Sequence, residues 1–580
     1  MTSRNRRIEK SVRLYRRMIV AASTVCLMVL TTCATLAQQT GTLPPTTGGG
    51  EALLRGEFAK SVENLTLELD ASALSNDQRA GLLNDRGVAR WRLGQLKPAL
   101  EDFNKAAILF PELASIYNNR GNVLLALQIP AEAIRDFDRA VLLAPGFASA
   151  YNNRAIARIQ LGTLDTAIAD FTKAAELSPN ASAPINGRGR VHLDQGRPYL
   201  ALRDFSRAIA LDPGYRPGYR NRALVRMALH QFAVAIEDLN NALTFAPADA
   251  GLLLTRGTAE IGLRLYPAAL QDLDKLITLT PQSPAAYAER GRVRALMGVF
   301  PEALNDFARA IELDPKTRDA YVFRAEAHQL ANEPDLGLAD AERALKIDQH
   351  FAMTYRVRGR IQEALGHKDE ALTDYAQAVA LDADDAEAWA GLQRITGKER
   401  PPAELVAASD VEGWSLVRDG DKLKARYDLP PGWLVPLELL GTEAPKLTSW
   451  ERKAPPFKSI GVLRYIAGNL ATAAGPAEVE LAAILDLDHG QVIGIEPFRQ
   501  GKTLATWTWT EAGQLVVKGP DGVSSTFHLA EAVAAAGQAA KSATQQAVSA
   551  SAPTARRQTA LQQAPPRKKK SFTLFDLLFN

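Results

Sequence analysis

Residues 114–147 read ASIYNNRGNVLLALQIPAEAIRDFDRAVLLAPGF, and residues 148–181 read ASAYNNRAIARIQLGTLDTAIADFTKAAELSPNA. The two stretches have the same length. They share a Tyr-Asn-Asn-Arg run at Tyr117 and Tyr151 and an Asp-Phe pair at Asp136 and Asp170. The period of 34 residues continues both ways. Cutting from Ala80 gives nine units that end at Asp385, with no insertion or deletion. Self-similarity at this spacing marks one supersecondary unit stacked on copies of itself.

The eighth position of the units is small: Gly87, Gly121, Ala155, Gly189, Ala223, Gly257, Gly291, Ala325 and Gly359. So is the twentieth: Ala99, Ala133, Ala167, Ala201, Ala235, Ala269, Ala303, Gly337 and Ala371. Small residues at both places let two antiparallel helices approach closely. Large apolar residues such as Tyr117, Phe103, Phe137 and Phe171 fill the space around them. Proline closes the first seven units, from Pro111 to Pro315, and ends the second helix of each. One hairpin cannot bury its apolar face alone, so the hairpins stack into a solenoid.

The run Tyr117-Asn118-Asn119-Arg120-Gly121 and the run Ala310-Ile311-Glu312-Leu313-Asp314-Pro315 resemble the tetratricopeptide repeat (TPR) family. The resemblance covers residues 80–385. It implies a mainly α fold, a right-handed superhelix of helical hairpins with a concave groove that takes peptides or proteins.

Two columns are invariant. Arginine holds the seventh position in every unit, from Arg86 to Arg358, and aspartate the twenty-third, from Asp102 to Asp374. The first lies on helix A and the second on helix B. Complementary charges kept in register predict a charge-assisted ladder, within a unit or between neighbours.

The resemblance places the second, fifth, ninth and twelfth positions of helix A in the groove. The fifth reads Asn84, Asn118, Asn152, Asn186 and Arg220, and later Arg356; Asn119, Asn153 and Asn221 stand at the sixth. The ninth adds Asn122, Arg190, Arg292 and Arg360, with Glu326 between the last two. An amide donates and accepts at once, which suits the backbone of an extended peptide. The same asparagines also fit a repeat subtype in which Asn-Asn simply precedes Arg. The lysine-rich carboxylate clamp of chaperone-binding relatives is absent.

The flanks divide as follows. Residues 1–37 open with seven basic residues and Glu9, run uncharged from Met18 to Ala37, and end in Thr35-Leu36-Ala37. That is a basic, apolar and small-residue order, the pattern of a bacterial-type signal peptide. The uncharged run is also about long enough for an anchor, and Cys33 leaves lipidation open. Residues 38–50 read as a linker and 51–79 as a degenerate capping repeat, with Gly56, Phe58 and Ser61 out of register. Residues 386–397 are expected to be a capping helix and 398–410 a linker around Pro401-Pro402.

After residue 410 the period stops. Residues 411–530 hold five of the seven tryptophans and alternate with period two at Thr503–Trp509. They predict a β-rich domain, with a meander over 479–529 and further strands over 413–440. Residues 531–566 are a low-complexity linker. The tail, 567–580, joins Arg567-Lys568-Lys569-Lys570 to Phe572, Phe575 and Phe579 at helical spacing, which reads as a docking helix for a membrane face or a partner.

Net charge is +3 over 580 residues. Removing residues 1–37 takes it to −3 and removes both cysteines, Cys26 and Cys33. The cut chain would have no disulfide and no thiol nucleophile. No dedicated nucleic-acid surface is expected, and no cofactor or metal. Gly494 to Thr503 has the wrong spacing for a phosphate loop, and the seven histidines are scattered. The expectation is an exported, non-enzymatic scaffold of the cell envelope that binds an extended segment. An envelope assembly factor is the alternative, as is an enzyme with its site around Asp486, Asp488 and His489.

Overall fold

The computed structural model describes residues 48–529 and Val533, apart from 71–73, 420–421, 430–432, 441–444, 454–459, 473–474, 490, 511–513 and 521–523. The expected signal or anchor and the tail residues Phe572, Phe575 and Phe579 lie outside the described residues. Among those described, 21 helices precede 12 strands.

The repeat array is built as the sequence predicts. Unit two holds helix A at Ala114–Ala126 and helix B at Pro130–Leu143; unit three holds Ala148–Leu161 and Leu164–Leu177. The chain reverses between A and B at the fifteenth position. There Gly94, Gly162, Gly196, Gly298 and Gly366 take a positive φ, and so do Gln128, His230, Arg264 and Asn332. The turn is the same in all nine units. Five use glycine, and the other four hold an ordinary side chain in the left-handed region at a cost of about 1–2 kcal/mol each.

The small eighth position faces the twenty-fourth, which is aromatic in six units and Leu239, Leu273 or Ala341 in the others. A Cβ on Gly121 would stand 2.7 Å from Phe137, and one on Gly291 would stand 2.7 Å from Phe307. Where Ala155 occupies the eighth position, it shares a core cluster with Phe171, whose ring also lies against Gly187 of the next unit. Gly121→Ala is therefore expected to cost about 1–3 kcal/mol, because Asn153 stands where a glycine like Gly187 would give the Phe137 ring room. Urea unfolding measures this; an unchanged midpoint would show that the ring can give way freely.

The cap has a clear register. Helices Gly48–Leu54 and Phe58–Leu69 form a hairpin in which Gly49 meets Leu65 and Ser61 is fully buried, its hydroxyl donating to the Gly49 carbonyl at 2.9 Å. The spacing from Gly49 to Leu65 is the spacing from Gly87 to Phe103. The hairpin is thus a repeat displaced by four residues. Its first helix begins inside the stretch read as linker 38–50. At the other end, Asp385 caps helix Ala386–Thr396 by accepting the Ala388 N–H at 2.9 Å.

The β-rich region forms three antiparallel sheets among the described residues. The first has the order β1 (Glu404–Ala408), β2 (Trp414–Asp419), β3 (Lys422–Tyr427), β4 (Leu434–Pro436). The second runs β5 (Lys446–Arg452), β6 (Ile460–Thr472), β7 (Gly475–Asp486), β8 (Gln491–Gln500), β9 (Thr503–Leu504). The third is β10 (Thr506–Trp509), β11 (Gln514–Lys518), β12 (Ser524–His528).

Two expectations change here. β1 lies inside the stretch read as linker 398–410; it is exposed along its length and held by pairing with β2. The single meander over 479–529 is instead two sheets that part at Ala505. β9 pairs with β8 before it, and β10 with β11 after it. Both residues of β9 are exposed, Leu504 included, whereas β10 alternates exposed threonines with the half-buried Trp507 and Trp509, so the phase shifts at Ala505.

The β-rich region does not hang from the end of the array. Its main core unites Trp414, Leu416, Tyr465 and Leu481 with Tyr199 and Leu200 of unit four. Helix Leu164–Leu177 lies against β6, and helix Pro198–Leu211 against β8 and β12. The chain leaves unit nine, folds into sheets, and returns to units three and four.

Candidate functional site

The predicted ladder exists in all nine units. Each seventh-position arginine donates through Nε and Nη2 to both carboxylate oxygens of the aspartate in its own unit, at 2.5–3.1 Å. These aspartates are buried. Several of the arginines also reach helix B of the preceding unit through Nη1, as Arg154 does to Asp138 and Arg290 to Asp274, both at 2.8 Å. One guanidinium thus closes its own hairpin and ties it to its neighbour. A second arginine escaped the sequence reading. The eleventh position supplies Arg90, Arg158, Arg226 and Arg294, and each pairs with the same aspartate at 2.7–2.8 Å. Position eleven is not invariant, which is why the column did not stand out.

The asparagines of helix A form a chain of amides. Asn84 Nδ2 donates to Asp85 at 3.2 Å, and Asn119 Nδ2 to Asn84 at 3.0 Å. Asn118 donates to Asn119, Asn153 to Asn118, and Asn152 to Asn153. The row runs across three units and ends on Asp85, whose carboxyl is pushed up to about 6 by burial against the pull of the Asn84 amide. At unit four Gly187 replaces the sixth-position asparagine and the row breaks. It resumes as a single bond from Asn221 Nδ2 to Asn186 Oδ1 at 2.9 Å. Asn122 stands on the same helix face, half-buried.

The later cations are engaged with acids. Arg356 reaches Asp385 and Glu387, Arg360 reaches Glu326 and Glu387, and Arg292 pairs with Glu289 and lies 4.7 Å from the Phe323 ring centre. Arg190 and Arg220 have no such carboxylate within ion-pair distance among the described residues.

A third constellation joins the two parts of the chain. The Glu438 carboxylate accepts the backbone N–H groups of Tyr199 and Leu200 in the first turn of helix Pro198–Leu211. That puts carboxyl oxygens on the orphan N–H groups of a helix N-terminus, supplied from the β-rich region. Arg197 donates to the Leu439 carbonyl at 2.7 Å, and the Tyr199 hydroxyl to the Val492 carbonyl at 3.2 Å. Arg203 faces Glu496 at 3.1 Å, with both side chains buried. At the far end Asp384 meets Lys422, Lys424 and Arg400. No sequence motif announces these residues, because each is an ordinary member of its own unit or strand.

Burial pushes the Glu438 carboxyl up to about 8, against the Tyr199 and Leu200 N–H groups and Arg197. Its ordinary value is 4.5. Between those values the docked state holds more protons than the undocked one. Docking should therefore weaken as pH rises from about 4.5 to about 8, and level off above. Limited proteolysis at pH 6 and pH 9 checks this, with Glu438→Gln expected to flatten the difference. Equal protection of the wild type at both pH values would contradict it.

The residues of the enzymatic alternative sit in the turn between β7 and β8. Asp486 is fully buried and accepts the Asp488 N–H and the His489 ring. Its oxygens close the turn. No group of three or more potential metal ligands occurs among the described residues. No described helix is long and apolar enough to cross a membrane.

The fold and the amide row define a helical-repeat protein of the kind that presents a long ordered face. Comparison with known families gives the repeat its name: residues 84–146, 118–182, 220–284, 257–328 and 355–385 match models described as tetratricopeptide repeat. The chain carries a TPR solenoid followed by a β-rich region. Among solved structures it is similar to a tetratricopeptide repeat protein from Parabacteroides merdae, at 22% identity, over 43% of this chain and 99% of that one, with a TM-score of 0.39. It is also similar to yeast Tom70, at 16% identity, over 60% and 86%, with a TM-score of 0.32. A third is YrrB, described as a TPR protein with an unusual peptide-binding site, at 22% identity, over 32% and 95%, with a TM-score of 0.26. No curated protein matches the chain.

Proposed function

We propose that this protein is a non-catalytic scaffold of the bacterial envelope whose helix A face receives an extended peptide or protein segment. The amide row carries the reading. Asn84, Asn119, Asn118, Asn153 and Asn152 hold one another at fixed spacing across three units. Asn118 is buried, but the other four are partly exposed with a further donor or acceptor to offer, and little side-chain entropy is left to lose on binding. TPR proteins typically mediate protein–protein interactions, which is the chemistry such a face can support. The basic, apolar and small-residue order of residues 1–37 supports export.

A photo-crosslinking side chain at Asn122, on the helix A face, tests the reading against one at Ile108, which is 80% exposed on helix B. In intact cells the first is expected to give discrete adducts and the second none. Adducts from Ile108 alone, or from neither, would overturn groove binding. Sequencing the N-terminus of the envelope-fraction protein tests export. An intact Met1 on a cytoplasmic chain would overturn it.

A further inference from the structure

We propose that Asn186, Arg190 and Arg220 form a seat for a side-chain carboxylate of the segment that lies in the groove. The inference rests on the reading above and adds the chemistry of its ligand: an acidic peptide.

The three residues come together through the repeat. Asn186 and Arg190 are one turn apart on helix Ser182–Asp194, and Arg220 stands on helix Arg216–Ala228 of the next unit. Arg190 and Arg220 are close enough to repel, and burial and that repulsion together press the Arg220 guanidinium down from its ordinary range. Arg220 Nε is buried with no acceptor. Asp249 is the acid that acts on it, but its carboxylate is committed to the Leu252 N–H at 3.1 Å and to Arg216 at 3.1 Å.

Asn186 adds a third donor. It is fully buried, and its Oδ1 is taken by Asn221. Its Nδ2 is buried with no acceptor. In units two and three that amide donates to the asparagine next to it, as Asn118 does to Asn119. Gly187 removes the acceptor in unit four. A Cβ at Gly187 would stand 2.5 Å from Phe171, so packing excludes the asparagine that would have completed the row.

The cluster therefore holds two cations and one amide N–H with no acceptor among the described residues. Asn186 Nδ2 and Arg220 Nε are buried, and leaving them unmatched is costly; Arg190 is half-buried beside them. The other groove arginines, Arg292, Arg356 and Arg360, each have a carboxylate from the chain itself. At Arg190 and Arg220 that carboxylate is left for a ligand to bring. Two guanidiniums and an amide suit one planar carboxylate through charge-assisted bonds.

The test uses the full chain and a displayed library of random peptides of roughly 12 residues, long enough to extend about 40 Å. Wild type is expected to enrich peptides with Asp or Glu at one register. For a selected peptide made synthetically, changing that acid to its amide should weaken binding roughly tenfold or more. Arg190→Gln with Arg220→Gln should cause the same loss, and the two changes together should cost no more than one. Arg190→Lys with Arg220→Lys keeps the charge and should recover part of the affinity; thermal melts confirm that each variant folds. Peptides that bind wild type and the glutamine variant equally would overturn the seat and leave groove binding standing. Retention of no peptide would overturn both. A phosphoserine at the acidic position that binds more than tenfold tighter would overturn the carboxylate assignment.

Discussion

Asp170→Ala is expected to cost about 3–5 kcal/mol, the range for stripping one partner from a buried ion pair. Asp170 is 3% exposed and holds two arginines at once: Arg154 through both oxygens at 2.6–2.8 Å, and Arg158 at 2.7 Å. Removing it leaves two guanidiniums in a site built for a carboxylate. Arg154 also grips Asp138 of unit two, so the damage should cross the unit boundary. Hydrogen exchange is expected to rise first in helices Ala148–Leu161 and Leu164–Leu177 and then in what they pack on, the adjacent repeats and β6. Asp170→Asn keeps the shape and one acceptor and should cost less. If the alanine variant lost no more than 1 kcal/mol, the ladder would be a surface-like decoration rather than a framework.

Arg203→Ala should have a comparable effect on a different quantity, the docking of the β-rich region onto unit four. Arg203 and Glu496 face each other at 3.1 Å with 5% and 3% of their side chains exposed. Removing the guanidinium strips Glu496 of its buried ion-pair partner, at a cost of about 3–5 kcal/mol. The interface can relieve that cost by opening. The expected result is a second, earlier thermal transition and faster proteolysis near residues 398–410, while the repeats keep their helical signal. Arg203→Met combined with Glu496→Leu replaces the pair by apolar groups of similar volume and should restore one transition. A single transition in the alanine variant would show that Tyr199, Leu200 and Glu438 hold the interface without the pair.

How much of this was legible can be judged residue by residue. The ladder was, because Arg86 to Arg358 and Asp102 to Asp374 recur at one spacing and nothing else needs those charges in register. The second arginines were not, since Leu124, Glu260 and Gln362 interrupt the eleventh position. The A–B turn was half visible. Five glycines mark it, but Gln128, His230, Arg264 and Asn332 adopt the same left-handed backbone because the flanking helices impose it. The cap was legible as a repeat out of phase, and its phase came from Gly49 meeting Leu65.

The groove shows the same division. Sequence put Asn84, Asn118, Asn152 and Asn186 on one face. It could not tell that Asn118 and Asn186 are buried, that the amides bond to one another, or that Gly187 breaks the row against Phe171. Nor could it separate Arg190 and Arg220 from Arg356 and Arg360, because the difference lies in acids that approach from other units and from the terminal helix.

By itself the sequence determined the repeat, its length, its phase and its ionic framework. Those are local: every contact that enforces them lies within one unit or the next, and the same residues recur every 34 positions. The tertiary structure alone decided where the β-rich region rests. Glu438, Leu439 and Glu496 meet Tyr199, Arg197 and Arg203 across more than two hundred residues of chain. That contact depends on how small rotations accumulate from unit to unit. No single unit encodes that sum, so no local pattern could reveal it.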